Sequence, residues 1–288
     1  MTISRIDLDG AGSPAALVTR ILHLEPALPI PVPIEQLCQQ LDITSIGELD
    51  TDGFEAALIT DEFKSAGAIL IARDRSRQRR RFSIAHELGH FLIPAHLPRP
   101  GEQSLCSAEQ LCMTDIGEQN RRRRMEAEAN RFAALLLMPP PMLRAELQRI
   151  RQPNVTDIIR LARLFDVSKD AMGRAYADYS REAVAIVVIR NGKVMRHYRN
   201  VRTFPFISVS TGQSVPVGSL YHSIGLRPGE ASPTEECERG IWIGERDEHR
   251  VGTLTEQLLG QENGFSLLML LAELKEEDED EDGPPERW

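Results

Sequence analysis

Residues 82–91 read Phe-Ser-Ile-Ala-His-Glu-Leu-Gly-His-Phe. Within them, His86-Glu87-x-x-His90 sets two imidazoles four positions apart. On a helix such positions share one face, so both rings can reach a single metal ion. Glu87 follows the first imidazole directly, where its carboxylate can take a proton from a water that the metal activates. The chemistry this spacing suits is metal-assisted hydrolysis of a peptide bond. A core helix with two incidental histidines is the bland alternative, and the flanks speak against it. Phe82, Ala85, Gly89 and Leu92 recur at helical spacing, as a buried helix requires, and Pro94 ends the run.

A catalytic zinc takes three protein ligands and leaves one position open, so a second element must supply the third. Residues 121–138 form a strong helix signal, Arg-Arg-Arg-Arg-Met-Glu-Ala-Glu-Ala-Asn-Arg-Phe-Ala-Ala-Leu-Leu-Leu-Met, stopped by Pro139-Pro140-Pro141. Glu126 and Glu128 compete for the role. Two residues apart, they point about 200° apart and cannot both face one ion. Glu126 shares its face with Ala129, Asn130, Ala133 and Leu137. The alanines permit close helix approach, and Asn130 can accept a hydrogen bond from a ligand imidazole. Glu128 aligns with Arg124, Arg131 and Leu135, a more solvent-like face. The faces favour Glu126, with Glu128 as the alternative.

With 41% hydrophobic and 27% charged residues in 288, the composition is that of an ordinary globular protein of two or three domains. No apolar run approaches a membrane span, the first residues lack a signal-peptide core, and four scattered cysteines build no disulfide scaffold. The expected location is the reducing cytoplasm. The net charge is −9, but residues 276–282 are seven consecutive acids, so the rest carries only −2. That run reads as a disordered tail. Arg79–Arg81 and Arg121–Arg124 each abut a candidate site helix. They read as solvated helix starts, or else as a basic rim for an acidic substrate segment.

Four stretches resemble the ImmA/IrrE family of bacterial metallopeptidases. They are Pro31-Val-Pro-Ile-Glu-Gln-Leu, Arg81-Phe-Ser-Ile-Ala-His-Glu-Leu-Gly-His-Phe-Leu, Glu126-Ala-Glu-Ala-Asn-Arg-Phe-Ala-Ala-Leu-Leu-Leu-Met-Pro and Ile159-Arg-Leu-Ala-Arg-Leu-Phe-Asp-Val-Ser. The resemblance implies an α+β, zincin-like (gluzincin) peptidase domain with a small β-sheet and the HExxH helix. It implies one Zn²⁺ per chain on His86, His90 and Glu126, with Glu87 as base; Mn²⁺ fits the same ligand types. It further implies that the substrate is a Cro/cI-type helix-turn-helix repressor, cut in a stress, DNA-damage, mobile-element or toxin–antitoxin response. Where many members carry Leu-Leu-His soon after the second ligand, this chain has Phe91-Leu-Ile-Pro-Ala-His96, a displaced histidine behind a proline. The alternative reading is a metal-bound regulator that binds a repressor or promoter DNA without proteolysis.

The elements that must position these residues follow from pattern. Helices are expected over 15–23 and 34–41, and paired strands over 54–60 and 67–73. The second strand, Gly67, Ala68, Ile69, Leu70 and Ile71, is expected to be an edge that holds substrate extended. Cys106 and Cys112 lie in a polar loop between the two site helices, where a Cys106 thiolate could take the metal's open position. Helices over 156–165 and 168–179 resemble a helix-turn-helix, but the second carries two bases against two acids, too few bases for DNA recognition. Asn191-Gly192 marks a hairpin between 183–190 and 193–198. Strands are expected near 206–210 and 240–245, and helices or apolar strands over 254–259 and 265–275. The expected division is a peptidase domain 1–141, a helical helix-turn-helix-like segment 142–182 packed on it, a C-terminal α/β sensor-like, GAF-like module 183–275, and the acidic tail 276–288. Tyr176, Tyr179, His96 and His197 are candidate donors to a reacting carbonyl.

Overall fold

The computed structural model describes residues 1–51, 53–97, 104–106 and 121–275. Cys112 and the acid run 276–282 lie outside the described residues. The chain forms two compact units, the first comprising Met1–Glu146 and Arg160–Met172, the second Leu147–Ile159 and Gly173–Trp288. The expected helical segment 142–182 is therefore shared between them. Helices and antiparallel strands occur in both, giving a mixed α+β chain.

Unit 1 opens with α1 (Pro14–Leu24), whose N-cap Ser13 accepts from the Ala16 N–H, and α2 (Ile34–Gln40). A four-stranded sheet follows, with strand order β1-β3-β2-β4, formed by β1 (Ile43–Leu49), β2 (Ala56–Thr60), β3 (Gly67–Ala72) and β4 (Ser104–Cys106). β1 runs parallel to β3, and the other pairs are antiparallel. Between β3 and β4 comes α3 (Arg77–Leu92), which packs on β2 and β3. Next is α4 (Arg121–Leu137), packed against α3 and α1. The proline run that stops α4 also starts α5 (Pro140–Leu147), since a helix's first turn needs no proline N–H.

α3 is buried on all sides from Ser83 to Leu92. Its start is fixed by the Ser76 cap and by Asp166, a residue 8% exposed. The Asp166 carboxylate accepts from Arg77 Nε at 2.6 Å and Gln78 Nε2 at 3.0 Å, and Arg81 Nε lies 3.3 Å from it. Arg81 also donates to the Val32 carbonyl at 2.8 Å. Asp166 follows α6 (Val155–Phe165), and α7 (Lys169–Tyr179) begins three residues later, with the Ser168 side chain accepting from Ala171 N–H as its N-cap.

Two glycines allow the close packing. A Cβ at Gly67 would lie 2.8 Å from the Ile43 side chain and 3.2 Å from the Phe91 ring. A Cβ at Gly89 would lie 3.0 Å from Cδ1 and 3.3 Å from Cβ of Phe132, a fully buried residue of α4. The α3–α4 spacing is thus set by a missing side chain.

In unit 2, β5 (Ala183–Arg190), β6 (Lys193–Arg199), β7 (Glu235–Glu236), β8 (Val251–Gly260) and β9 (Phe265–Leu274) form an antiparallel sheet ordered β6-β5-β9-β8-β7. Asn191 and Gly192 have φ of 48° and 76°, the left-handed pair a tight hairpin needs. One face of the sheet buries Val187, Leu258, Leu268 and Leu270 under Phe204, Ile207 and Trp242. The strands expected near 206–210 and 240–245 are not formed. Ile207 and Ile243 make one isolated bridge, flanked by a 3-10 turn (Arg239–Ile241) and α8 (Glu245–Glu248). Those apolar residues serve as a cover over the sheet. The buried Glu256 ties the cover down, accepting from the Trp242 indole and from Leu220 N–H at 2.5 Å.

Gly89→Ala should lower the unfolding free energy by about 1–3 kcal/mol, because the added methyl meets Cδ1, Cβ and Cγ of the fully buried Phe132 side chain, which has little room to yield. Urea denaturation measures it, and an unchanged midpoint would contradict the close-packing account.

Candidate metal centre

α3 and α4 bring His86, His90 and Glu126 together, the one cluster of three metal-capable side chains among the described residues. His86 is 0%, His90 4% and Glu126 6% exposed. The two histidine Nε2 atoms are 3.1 Å apart. Glu126 Oε2 lies 3.2 Å from His86 Nε2, and Oε1 lies 3.5 Å from His90 Nε2. Zinc bonds of about 2.0–2.1 Å in tetrahedral geometry put donor atoms about 3.3–3.4 Å apart. The three edges bracket that length. Glu128 points elsewhere, so Glu126 is the carboxylate at this point.

The outward hydrogen bonds decide where the ring protons sit. His86 Nδ1 is 2.9 Å from Asn130 Oδ1, an acceptor, so His86 carries its proton on Nδ1. His90 Nδ1 is 3.2 Å from His96 Nδ1, and His96 Nε2 is 2.9 Å from Glu128 Oε2. A carboxylate only accepts, so His96 donates from Nε2 and accepts at Nδ1, and His90 donates from its own Nδ1. Burial, reinforced by the charges of His90 and Lys64, pushes His96 down to about 2, which keeps its ring neutral. Both ligand histidines then aim Nε2 lone pairs at a carboxylate. Electron pairs facing one another in a buried space repel unless a cation lies between them. The donor set fits a divalent cation with nitrogen and oxygen preference.

Supporting contacts lock the helix that carries the histidines. Lys64, 6% exposed, donates from Nζ to the carbonyls of His90 at 2.7 Å and Ile93 at 2.9 Å, at the C-terminal end of α3 where a cation is favoured. Burial lowers Lys64 to about 8. Glu87 is fully buried beside His86.

Other expected site residues fall differently. Gly67, Ala68, Ile69, Leu70 and Ile71 are not on an edge. β3 is interior, and each of the five is paired with β1 on one side and β2 on the other. Their main-chain groups serve the sheet and cannot hold an added strand. The expectation failed because β1, with a single buried residue in seven, lacks the alternation that would have revealed it. Arg79–Arg81 are part-buried and ion-paired rather than a simple solvated start. They reach Glu55 at 3.3 Å, Glu48 at 2.8 Å and Asp166 at 3.3 Å respectively. His96, with both nitrogens engaged by Glu128 and His90, is not aimed at a reacting carbonyl. Tyr176, Tyr179 and His197 belong to unit 2. Cys106 ends β4, and Cys38 and Cys237 are free thiols.

Residues 47–176 match the family model described as the IrrE N-terminal-like domain, a peptidase family, and the three donors and Glu87 lie inside that span. Residues 47–176 thus resemble the ImmA/IrrE family. No curated protein sequence matches the chain significantly. A solved structure described as a Mycobacterium tuberculosis transcriptional regulator shares 12% identity with it. That alignment covers 93% of this chain and 73% of the other at a TM-score of 0.49, a likeness too low to carry an argument. The IrrE-like domain thus combines a peptidase-type family with a nitrogen–oxygen cation site of unspecified metal.

Asn130→Ala should weaken zinc binding by about 10–100-fold, as removal of a ligand-orienting partner does. Asn130→Asp, which keeps an acceptor, should recover most of it. Competition with a chromophoric chelator reads both, and equal affinity in Asn130→Ala would contradict the orienting role.

Proposed function

We propose that the chain is a zinc-dependent endopeptidase that hydrolyses a peptide bond in a Cro/cI-type helix-turn-helix repressor and so relieves repression. The observation that carries the hydrolytic part is the convergence of His86, His90 and Glu126 with both imidazole protons held on the far side. The repressor as partner, and the stress, DNA-damage or mobile-element setting, rest on the likeness of residues 47–176 to the ImmA/IrrE family.

Zinc, when bound by these three side chains, would lower the pKa of a water to about 7 and polarise the scissile carbonyl. Glu87, one position after His86, removes a proton from the attacking water. The water oxygen bonds to the carbonyl carbon, the C–N bond breaks, and Glu87 passes the proton to the departing amine. Asn130 holds His86 in the tautomer that leaves Nε2 available. Among the described strands, the ends at which a substrate strand could add are β1 and β4, because β3 is interior. Unit 2, with its five-stranded sheet, is the candidate for a GAF-like regulatory module. Among the described residues no helix is long and apolar enough to cross a membrane.

The test pairs the full chain and Zn²⁺ with Cro/cI-type repressors from the same genome, read by intact mass. Two fragments whose masses sum to the repressor plus one water are expected. Glu87→Gln should retain zinc and lose at least about 100-fold in cleavage rate. An intact repressor with zinc-loaded protein, or undiminished cleavage by Glu87→Gln, would overturn the proposal.

A further inference from the structure

We propose that Glu128 and His96 are positioning residues for His90, a hydrogen-bond relay that fixes which nitrogen of that ligand faces the cation. The inference rests on the metal-site reading above and adds two residues to it. The relay runs from Glu128 Oε2 to His96 Nε2 at 2.9 Å and from His96 Nδ1 to His90 Nδ1 at 3.2 Å. The two imidazoles lie 4.9 Å apart between centroids, and His96 is 3% exposed, so water does not compete for either bond.

A break in the chain's helical path makes the relay possible. His96 lies six residues after His90, and a continuous helix would turn it about 240° away. α3 stops at Leu92, and Ile93-Pro94-Ala95-His96 makes a turn closed by His96 N–H on the Ile93 carbonyl at 3.1 Å. Proline suits the second position of such a turn. The same Ile93 carbonyl accepts from Lys64 Nζ at 2.9 Å, so the turn is anchored as well as formed. His96 is thereby folded back onto the ring of His90.

α4 then grips His90 from both edges. Glu126 stands 3.5 Å from its Nε2, and Glu128, two residues on, reaches its Nδ1 through His96. The divergence of the two carboxylates, which bars them from sharing an ion, lets them serve opposite nitrogens of one imidazole. A neutral histidine in water favours the proton on Nε2, the nitrogen the cation needs. The relay reverses that preference before the cation arrives. It has the form of a carboxylate–histidine–metal triad lengthened by one imidazole.

The experiment uses the full chain with ¹⁵N-labelled histidine, first metal-free. Long-range ¹H–¹⁵N spectra should show His90 protonated on Nδ1 and His96 on Nε2. In His96→Leu and Glu128→Leu, His90 should move to the Nε2-protonated form. Zinc affinity, by chelator competition, should fall about 10–100-fold. Glu128→Gln, which keeps an acceptor oxygen, should restore most of the affinity. Thermal midpoints of the metal-free variants separate loss of the relay from loss of the fold. An Nε2 proton on His90 in the metal-free parent protein would overturn the relay. So would unchanged zinc affinity in a folded His96→Leu or Glu128→Leu. If the parent protein binds no zinc, the metal-site reading fails, while the His90 tautomer still judges the relay.

Discussion

Three buried electron-pair donors face one point, and each imidazole has its proton tied down on the opposite edge. Asn130 secures His86, and His96 with Glu128 secures His90. Glu126 brings a negative charge to the same point. Without a cation this arrangement sets lone pair against lone pair away from water, which costs several kcal/mol. With one it gains three bonds of suitable length. The rest of unit 1 can be understood as scaffolding for that convergence.

The scaffold works by removing freedom. α3 is held at its start by Asp166 through Arg77, Gln78 and Arg81, and at its end by Lys64. Gly89 lets Phe132 of α4 approach without an intervening Cβ, and Gly67 admits Phe91 against the sheet. α4 packs against α3 with Phe132 on Gly89, and its Ala129, Phe132 and Ala133 are all fully buried. Its polar residues on that side, Glu126 and Asn130, are one turn apart, so a single helix face supplies both a ligand and a ligand's orienting partner. Basic residues that the sequence presents as a surface cluster, Arg79–Arg81, are consumed in bridging α3 to Glu55, Glu48 and Asp166.

The donor set was legible because its signal is local. His86 and His90 are one turn apart, and the Ala–Asn face singles out Glu126 over Glu128. The hairpin at Asn191-Gly192 was legible for the same reason: both positions need a left-handed backbone. What escaped depends on long-range pairing. β1 has one buried residue and so no alternation, yet its parallel pairing turns β3 from an edge into an interior strand. Segments 206–210 and 240–245 have strand-like composition but cover a sheet already complete without them. The solvent-like face given to Glu128 concealed its partner, because His96 returns to α4 through a turn that helical periodicity does not describe. The proline before His96 was the visible trace of that turn.

X-ray absorption at the zinc edge of the loaded full chain tests the convergence most directly. Two imidazole nitrogens and one or two oxygens at about 2.0–2.1 Å are expected, with His86→Ala and Glu126→Ala losing the metal. A sulfur scatterer at about 2.3 Å, a shell of oxygens without imidazole, or full zinc retention in Glu126→Ala would contradict the account.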